Sequence, residues 1–181
     1  MTATEILKHE HELVNLVLEA AEREAESIQN TGKVNAEKVN QMLDFFRDFV
    51  GRCHHSKEEQ KLFVKLQERG LPLKNGPIAV MLYEHEAGRE MVKAIAEALS
   101  QVQQGEPSAL MTIRNNLRAY TKLLWEHIDK EDHILYPMAD RLLTPGDQQA
   151  LTEAFEQIEA GEMGQGVHER YHQLAHDLAR G

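Results

Sequence analysis

Four stretches of this chain carry an apolar stripe at helical spacing, and each stripe is broken at a matched place by histidine, alone or with glutamate. The first stripe is Leu7, His11, Val14, Leu18, Ala21. The second is Leu43, Phe46, Val50, His54, Glu58, Leu62; the third is Met81, His85, Gly88, Val92, Ile95, Leu99. The fourth is Leu117, Tyr120, Leu124, His127, Glu131, Ile134, Met138. Steps of three and four residues put one face of a helix against a core. The interruptions repeat: His11 is followed 43 residues on by His54-x-x-x-Glu58, and His85 is followed 42 residues on by His127-x-x-x-Glu131. The next turn of each helix rhymes as well, Glu58 leading to Leu62-Phe63 and Glu131 to Leu135-Tyr136. The second half reads as the first rotated about an axis through a helical bundle.

Boundary signals define six helices. Thr2 with Glu5 is a capping box that opens a helix from about Ala3 to Gln29, stopped by Asn30-Thr31-Gly32. Asn35 caps a second, from about Ala36 to Glu68, closed by Arg69-Gly70 and Pro72. Pro77 opens a third that reaches about Gln104, and Ser108 caps a fourth that reaches about Leu142 with a kink expected at Pro137. Two shorter helices follow, from Pro145 to about Ala160 and from Val167 to Arg180, separated by Gly161, Gly164 and Gly166. Strand signals are absent. The expected fold is all-α: an up-down-up-down four-helix bundle with two short extra C-terminal helices. Residues 1–181 form one domain in this reading, with 3–142 as the bundle and 143–181 as the helical extension.

The interruptions converge in space. At about 1.5 Å per residue, His11 and His85 each lie roughly 12 Å from the start of their helix. The pairs His54/Glu58 and His127/Glu131 centre roughly 18 and 19 Å before the ends of theirs. In an antiparallel bundle all four points fall at one level. Residues at i and i+4 point the same way, so each His/Glu pair can chelate or bridge. Two carboxylates on core faces need a compensating charge, and a metal supplies it. Four imidazoles and two carboxylates suit iron better than calcium or magnesium, which prefer oxygen throughout. A hydrogen-bonded core histidine is an ordinary reading of any one of these residues; the convergence of six is what points to metal.

The pattern His11…His54-x-x-x-Glu58…His85…His127-x-x-x-Glu131, with His54-His55-Ser56-Lys57-Glu58-Glu59 and Glu126-His127 through Tyr136-Pro137, resembles the hemerythrin-like, HHE cation-binding family over about residues 3 to 142. The resemblance implies two iron ions sharing an oxo or hydroxo bridge. His11, His54, His85 and His127 would then be terminal ligands, with Glu58 and Glu131 as bridging carboxylates. It implies capture or reduction of a small ligand (O2, NO or H2O2), supplied with electrons by a donor that the sequence does not name, or else a non-enzymatic iron-binding or oxygen-sensing role. The oxygen carriers of the family have a further histidine four residues after the third; Arg89 stands there, so an open position is expected near His85 and His127, with Gly88 leaving space beside it. Asp132 has the spacing of those carriers' aspartate, yet Glu131 sits better on the stripe.

Other features bound the function. A net charge of -10 argues against nucleic acid or an anionic membrane surface. No apolar run approaches the roughly 20 residues of a membrane span, and Met1 to Glu10 lacks a signal-peptide core. The single cysteine, Cys53, fits a packing role in a reducing cytoplasm. His9 and His133 lie off the stripes and should face solvent. His55 and Glu59 flank the ligand pair, as hydrogen-bond partners or as a substitute ligand. His168-Glu169-Arg170-Tyr171-His172 matches the H-E-x-x-H string of zinc proteases, but no third ligand or aligning strand accompanies it. It reads better as an amphipathic lid packed through Val167, Tyr171, Leu174 and Leu178, with His168, His172 and His176 at its edges.

Overall fold

A computed structural model describes residues 1–164 and 166–181, and the side chains of all of these but Glu162 and Met163. The described residues are helical or in short connections, with no strand among them. Helix α1 is Ala3–Thr31, α2 covers 36–68, α3 is Pro77–Gln103, α4 covers 110–142, α5 covers 145–163 and α6 is Val167–Arg180. Thr2 forms the expected capping box: its hydroxyl accepts from the Glu5 amide and its own amide donates to Glu5. Helix α1 runs past Gln29 to Thr31, because Gly32 takes the left-handed conformation (φ 64°) that ends a helix one step later than the polar triplet suggested. Asn35 caps α2 through the Lys38 amide. Ser108 does not cap α4. Pro107 opens a 3-10 turn, Pro107–Ala109, whose backbone bonds take up the donors that a cap would have satisfied.

Helix α1 packs against α2 and α4, and α3 against α2 and α4. Helices α5 and α6 lie on α1 and α2, and Tyr171, Ala175 and Leu178 bury the inner face of α6. Two apolar clusters fill the interior. One includes Val14, Leu18, Phe46, Phe49, Ile95 and Leu124. The other includes Leu7, Leu62, Phe63, Met81, Leu135 and Tyr136. The histidine and glutamate layer lies between them, walled from water on both sides.

Helices α2 and α4 are not uniform. After Glu58 and again after Glu131 the backbone widens into a π turn: the Phe63 amide donates to the Glu58 carbonyl, and the Tyr136 amide to the Glu131 carbonyl. In α4 the turn stands directly before Pro137, which has no N–H for the carbonyl four residues back; α2 makes the same turn without a proline. An i→i+5 bond gives residue i+5 the face that i+4 would otherwise hold. Phe63 and Tyr136 are thereby swung over the polar layer. The kink expected at Pro137 is this turn.

Candidate metal centre

The Nε2 atoms of His11 and His54 approach to 3.1 Å, and those of His85 and His127 to 3.2 Å. Glu131 reaches across, with Oε2 3.2 Å from His11 Nε2 and Oε1 3.2 Å from His127 Nε2. Glu58 Oε2 lies 3.3 Å from His85 Nε2 and 3.8 Å from His54 Nε2. The best-formed groups therefore cross the repeat: His11 and His54 gather with Glu131, while His85 and His127 gather with Glu58 and His55. Neither half of the chain completes a cluster alone. All six sequence-predicted residues meet here, each 2% exposed or less.

The Nδ1 atoms show why these rings face inward. His54 Nδ1 is 2.8 Å from Glu10, His127 Nδ1 2.8 Å from Glu84, His11 Nδ1 2.8 Å from Asp132 and His85 Nδ1 2.7 Å from Glu59. A carboxylate accepts, so each Nδ1 carries the proton, and a neutral ring then presents a bare lone pair at Nε2. Four such lone pairs and two carboxylates converge with one donor among the described residues, the Tyr136 hydroxyl, 2.6 Å from Glu58 Oε1. Glu58 Oε2 and Glu131 Oε1 have no hydrogen-bond partner. Acceptors crowded this way need positive charge. Two nitrogens about 2.1 Å from one metal ion and at right angles stand about 3.0 Å apart, close to both imidazole pairs. Without a metal, protons serve instead: burial opposes charge on His11, but Asp132 and Glu131 prevail and carry its pKa up to about 9. His127 is likewise raised to about 10, against burial, mainly by Glu131.

A model of the hemerythrin HHE cation-binding domain matches residues 2–139. The chain belongs to that family. Among its relatives is Rv1995, an uncharacterised protein of Mycobacterium tuberculosis, 23% identical over 165 residues that are 91% of this chain and 64% of that one. Mb2018 of Mycobacterium bovis matches to the same extent. The iron-sulfur cluster repair protein YtfE of Salmonella schwarzengrund is 29% identical over 140 residues, 73% of this chain and 60% of its own. The chain thus spans less than two thirds of the length of these relatives.

This HHE domain repeats its supports as well as its histidines. Glu10-His11 answers Glu84-His85, and Lys57-Glu58-Glu59 answers Lys130-Glu131-Asp132. Lys57 bonds to Glu10 as Lys130 does to Glu84. The stripes alone missed Glu10, Glu84, Lys57 and Lys130; comparing the residue before His11 with that before His85, and the residue before Glu58 with that before Glu131, would have found them. Tyr136 and Phe63 answer each other too, stacked on His11 (5.6 Å) and His85 (6.1 Å). The hydroxyl on one side breaks the symmetry.

Three neighbouring residues take definite places. Gly88 borders open space as expected, in a cavity between α2 and α3, and a Cβ there would stand 3.3 Å from Tyr120. Arg89 points away from the lone pairs and pairs with Glu59 (2.5 Å) and Glu86, so it acts on His85 only through Glu59. His168, at the edge of the packing face of α6, is partly buried. It faces Glu10 (3.6 Å) and Glu159 (3.9 Å), and Lys57, fully buried, bonds Glu159 at 2.5 Å. These groups hold Glu10 well below the usual carboxylate range despite its burial, with His168 and His54 foremost. His9 and His133 are exposed as expected. Cys53 is buried and its thiol is pushed up to about 12 by burial and by Glu10, as suits a packing residue. A cavity of about 600 Å³, lined by Phe46, Gly51, Gly88, Arg89 and Tyr120, leads from the surface between α2 and α3 to His55. Among the described residues no helix is long and apolar enough to cross a membrane.

Proposed function

We propose that the chain is a hemerythrin-like di-iron protein that captures or reduces a small ligand, O2, NO or H2O2. The observation that carries this reading is the convergence of four Nε2 lone pairs and two carboxylates in a buried layer, each ring locked by a carboxylate at Nδ1. In this reading α1 to α4 form an up-down-up-down bundle spanning 3–142, with 143–181 as an extension. His11, His54, His85 and His127 would hold the two ions together with Glu58 and Glu131. When bound, the iron pair supplies electrons and Lewis acidity. The chain's own residues do the rest. Glu10, Glu59, Glu84 and Asp132 fix the rings and raise their basicity. The two apolar clusters exclude water, and Tyr136 places a proton donor beside Glu58. The cavity ending at His55 is a route in for the ligand. YtfE, named for iron-sulfur cluster repair, lends support to iron as the metal.

The test is metal analysis of protein purified without added metal, beside His54→Ala, followed by exposure of the reduced protein to air, peroxide and NO. Two irons per chain that His54→Ala loses, fast oxidation in air, and peroxide consumption or an NO adduct are expected. One zinc per chain, unchanged by the substitution, overturns the reading. A long-lived reversible oxygen adduct would instead make the protein an oxygen carrier.

One observation favours a second reading, an iron-dependent sensor. Helices α5 and α6 supply Glu159 and His168 to the Glu10–Lys57 group that orients His54. Metal occupancy is thereby tied to the seating of the extension. Stoichiometric binding without turnover, with protease sensitivity of 143–181 that changes with iron, would select this reading.

A further inference from the structure

The cavity between α2 and α3 encloses about 600 Å³. A diatomic ligand needs a small fraction of that, since a water molecule takes up about 30 Å³ of the liquid. Pockets of about 300–1,000 Å³ hold drug-sized organic molecules. The repeat shows how the space arises. Gly51 stands three residues before His54, where the other half has Leu124 before His127. Gly88 stands three residues after His85, where the other half has Val14 after His11. Leu124 and Val14 are buried in the core, whereas both glycines line the cavity. Each glycine lies inside a helix, outside the left-handed region, where glycine costs about 0.5–1 kcal/mol against alanine. Close packing against Tyr120 accounts for Gly88. A Cβ at Gly51 would meet nothing nearer than the Phe46 carbonyl at 3.5 Å, an ordinary contact. Neither backbone nor packing asks for glycine at 51; open space is what it provides.

The walls favour one kind of occupant. Phe46 and Tyr120, with ring centroids 4.5 Å apart, join Val92 and Ala96 in an apolar interior. Tyr120 is 2% exposed, and its hydroxyl makes no hydrogen bond among the described residues. His55 closes the inner end, and its buried Nδ1 also lacks a partner. The lining carries Arg47, Arg52, Arg89 and Lys93 against Asp48 and Glu97, a positive excess on a chain of net charge -10. The arginines pair with nearby acids: Arg47 with Asp44, Arg52 with Asp48 and Arg89 with Glu59. Lys93 is exposed and has no acidic partner among the described residues.

We propose that this cavity binds an organic anion with a flat aromatic body, seated in the space left open at Gly51 with its charged group at Lys93. A flat ring slides between two helices where a side chain is missing and meets the rings of Phe46 and Tyr120. The Tyr120 hydroxyl and the His55 nitrogen are available to polar substituents on that ring. The site stands whichever metal the buried layer holds.

The test is isothermal titration calorimetry of the full-length protein as purified, with 1-naphthoate as the probe and 1-naphthalenemethanol as its neutral counterpart. Naphthoate should bind saturably at one per chain and more tightly than the alcohol. Lys93→Glu should weaken naphthoate about tenfold and leave the alcohol within about twofold. Gly51→Leu, which installs the residue of the other half, should abolish binding of both, with circular dichroism showing that it is folded. If it does not fold, the Lys93→Glu comparison decides alone, since that change is at the surface. Saturating azide, which competes for a metal, should not displace naphthoate. No saturable naphthoate binding, equal affinity for the two probes, an unaltered preference in Lys93→Glu, undiminished binding in folded Gly51→Leu, or displacement by azide would overturn the proposal.

Discussion

Replacing Tyr136 by Phe removes one oxygen from the middle of the polar layer and leaves the rest in place. Phe keeps the ring stacked on His11, and Phe63 already fills the matching place on the other side. The loss is the 2.6 Å bond to Glu58 Oε1, between two side chains with no measurable exposure. A hydrogen bond to a charged acceptor is worth about 1.5–3 kcal/mol net. No other donor to Glu58 Oε1 exists among the described residues, so the carboxylate would lose its partner rather than exchange it. For a chain of this size each kcal/mol moves the thermal midpoint by roughly 2–4 °C. The metal-free Tyr136→Phe protein should therefore melt roughly 3–12 °C lower. With iron bound, Glu58 faces a cation and depends less on the phenol, so the fall should be smaller. The variant should thus gain more from iron than the wild type does. Calorimetric melts of both proteins, metal-free and loaded, read all four midpoints. A metal-free midpoint within about 1 °C of wild type would mean that the bond is not made in solution and that Tyr136 does not satisfy this carboxylate.

Other perturbations act on the same network. The pKa values of His11 and His127, raised to about 9 and about 10 by Asp132 and Glu131 against the pull of burial, mean that metal must displace protons; ferrous affinity should rise from pH 6.5 to about 9.5, and a flat profile would refute this. Because both folded pKa values exceed the ordinary 6.5, the stability of the metal-free protein from these groups is complete below about pH 6.5 and lost as pH climbs through 9 to 10, so its melting midpoint should fall across that window. Glu10→Gln strips the buried Lys57 of one partner and should cost about 3–5 kcal/mol, whereas Glu84→Gln should cost less, since the Lys130 side chain is 34% exposed and can turn to water; equal losses in chemical denaturation would contradict this. The triple variant of His168, His172 and His176 to Gln should keep its iron and lose only about 1 kcal/mol, because Glu10 retains Lys57 and His54; loss of interior iron would show that α6 closes the centre.

Local spacing determined much of this protein. Thr2, Asn35 and Gly32 are read against backbone groups a few residues away, so the helix ends were legible in the sequence. His54-x-x-x-Glu58 and His127-x-x-x-Glu131 share a face on any helix, so the six-residue layer was legible too, and its repetition made it specific. The matching Glu10-His11 and Glu84-His85 pairs were present in the same letters, but carboxylates beside a stripe look like solvated surface until a ring is seen to turn toward them. Three features belong to tertiary structure alone. Glu58 and Glu131 reach an imidazole of the opposite half as well as one of their own, because which partner a side chain meets across a bundle is set by helix packing and not by spacing along one helix. Tyr136 enters the layer because a π turn before Pro137 shifts the face by one residue, a change that a constant helical period hides. His168 comes to Glu10 from the far end of the chain, over a sequence separation at which no local rule operates.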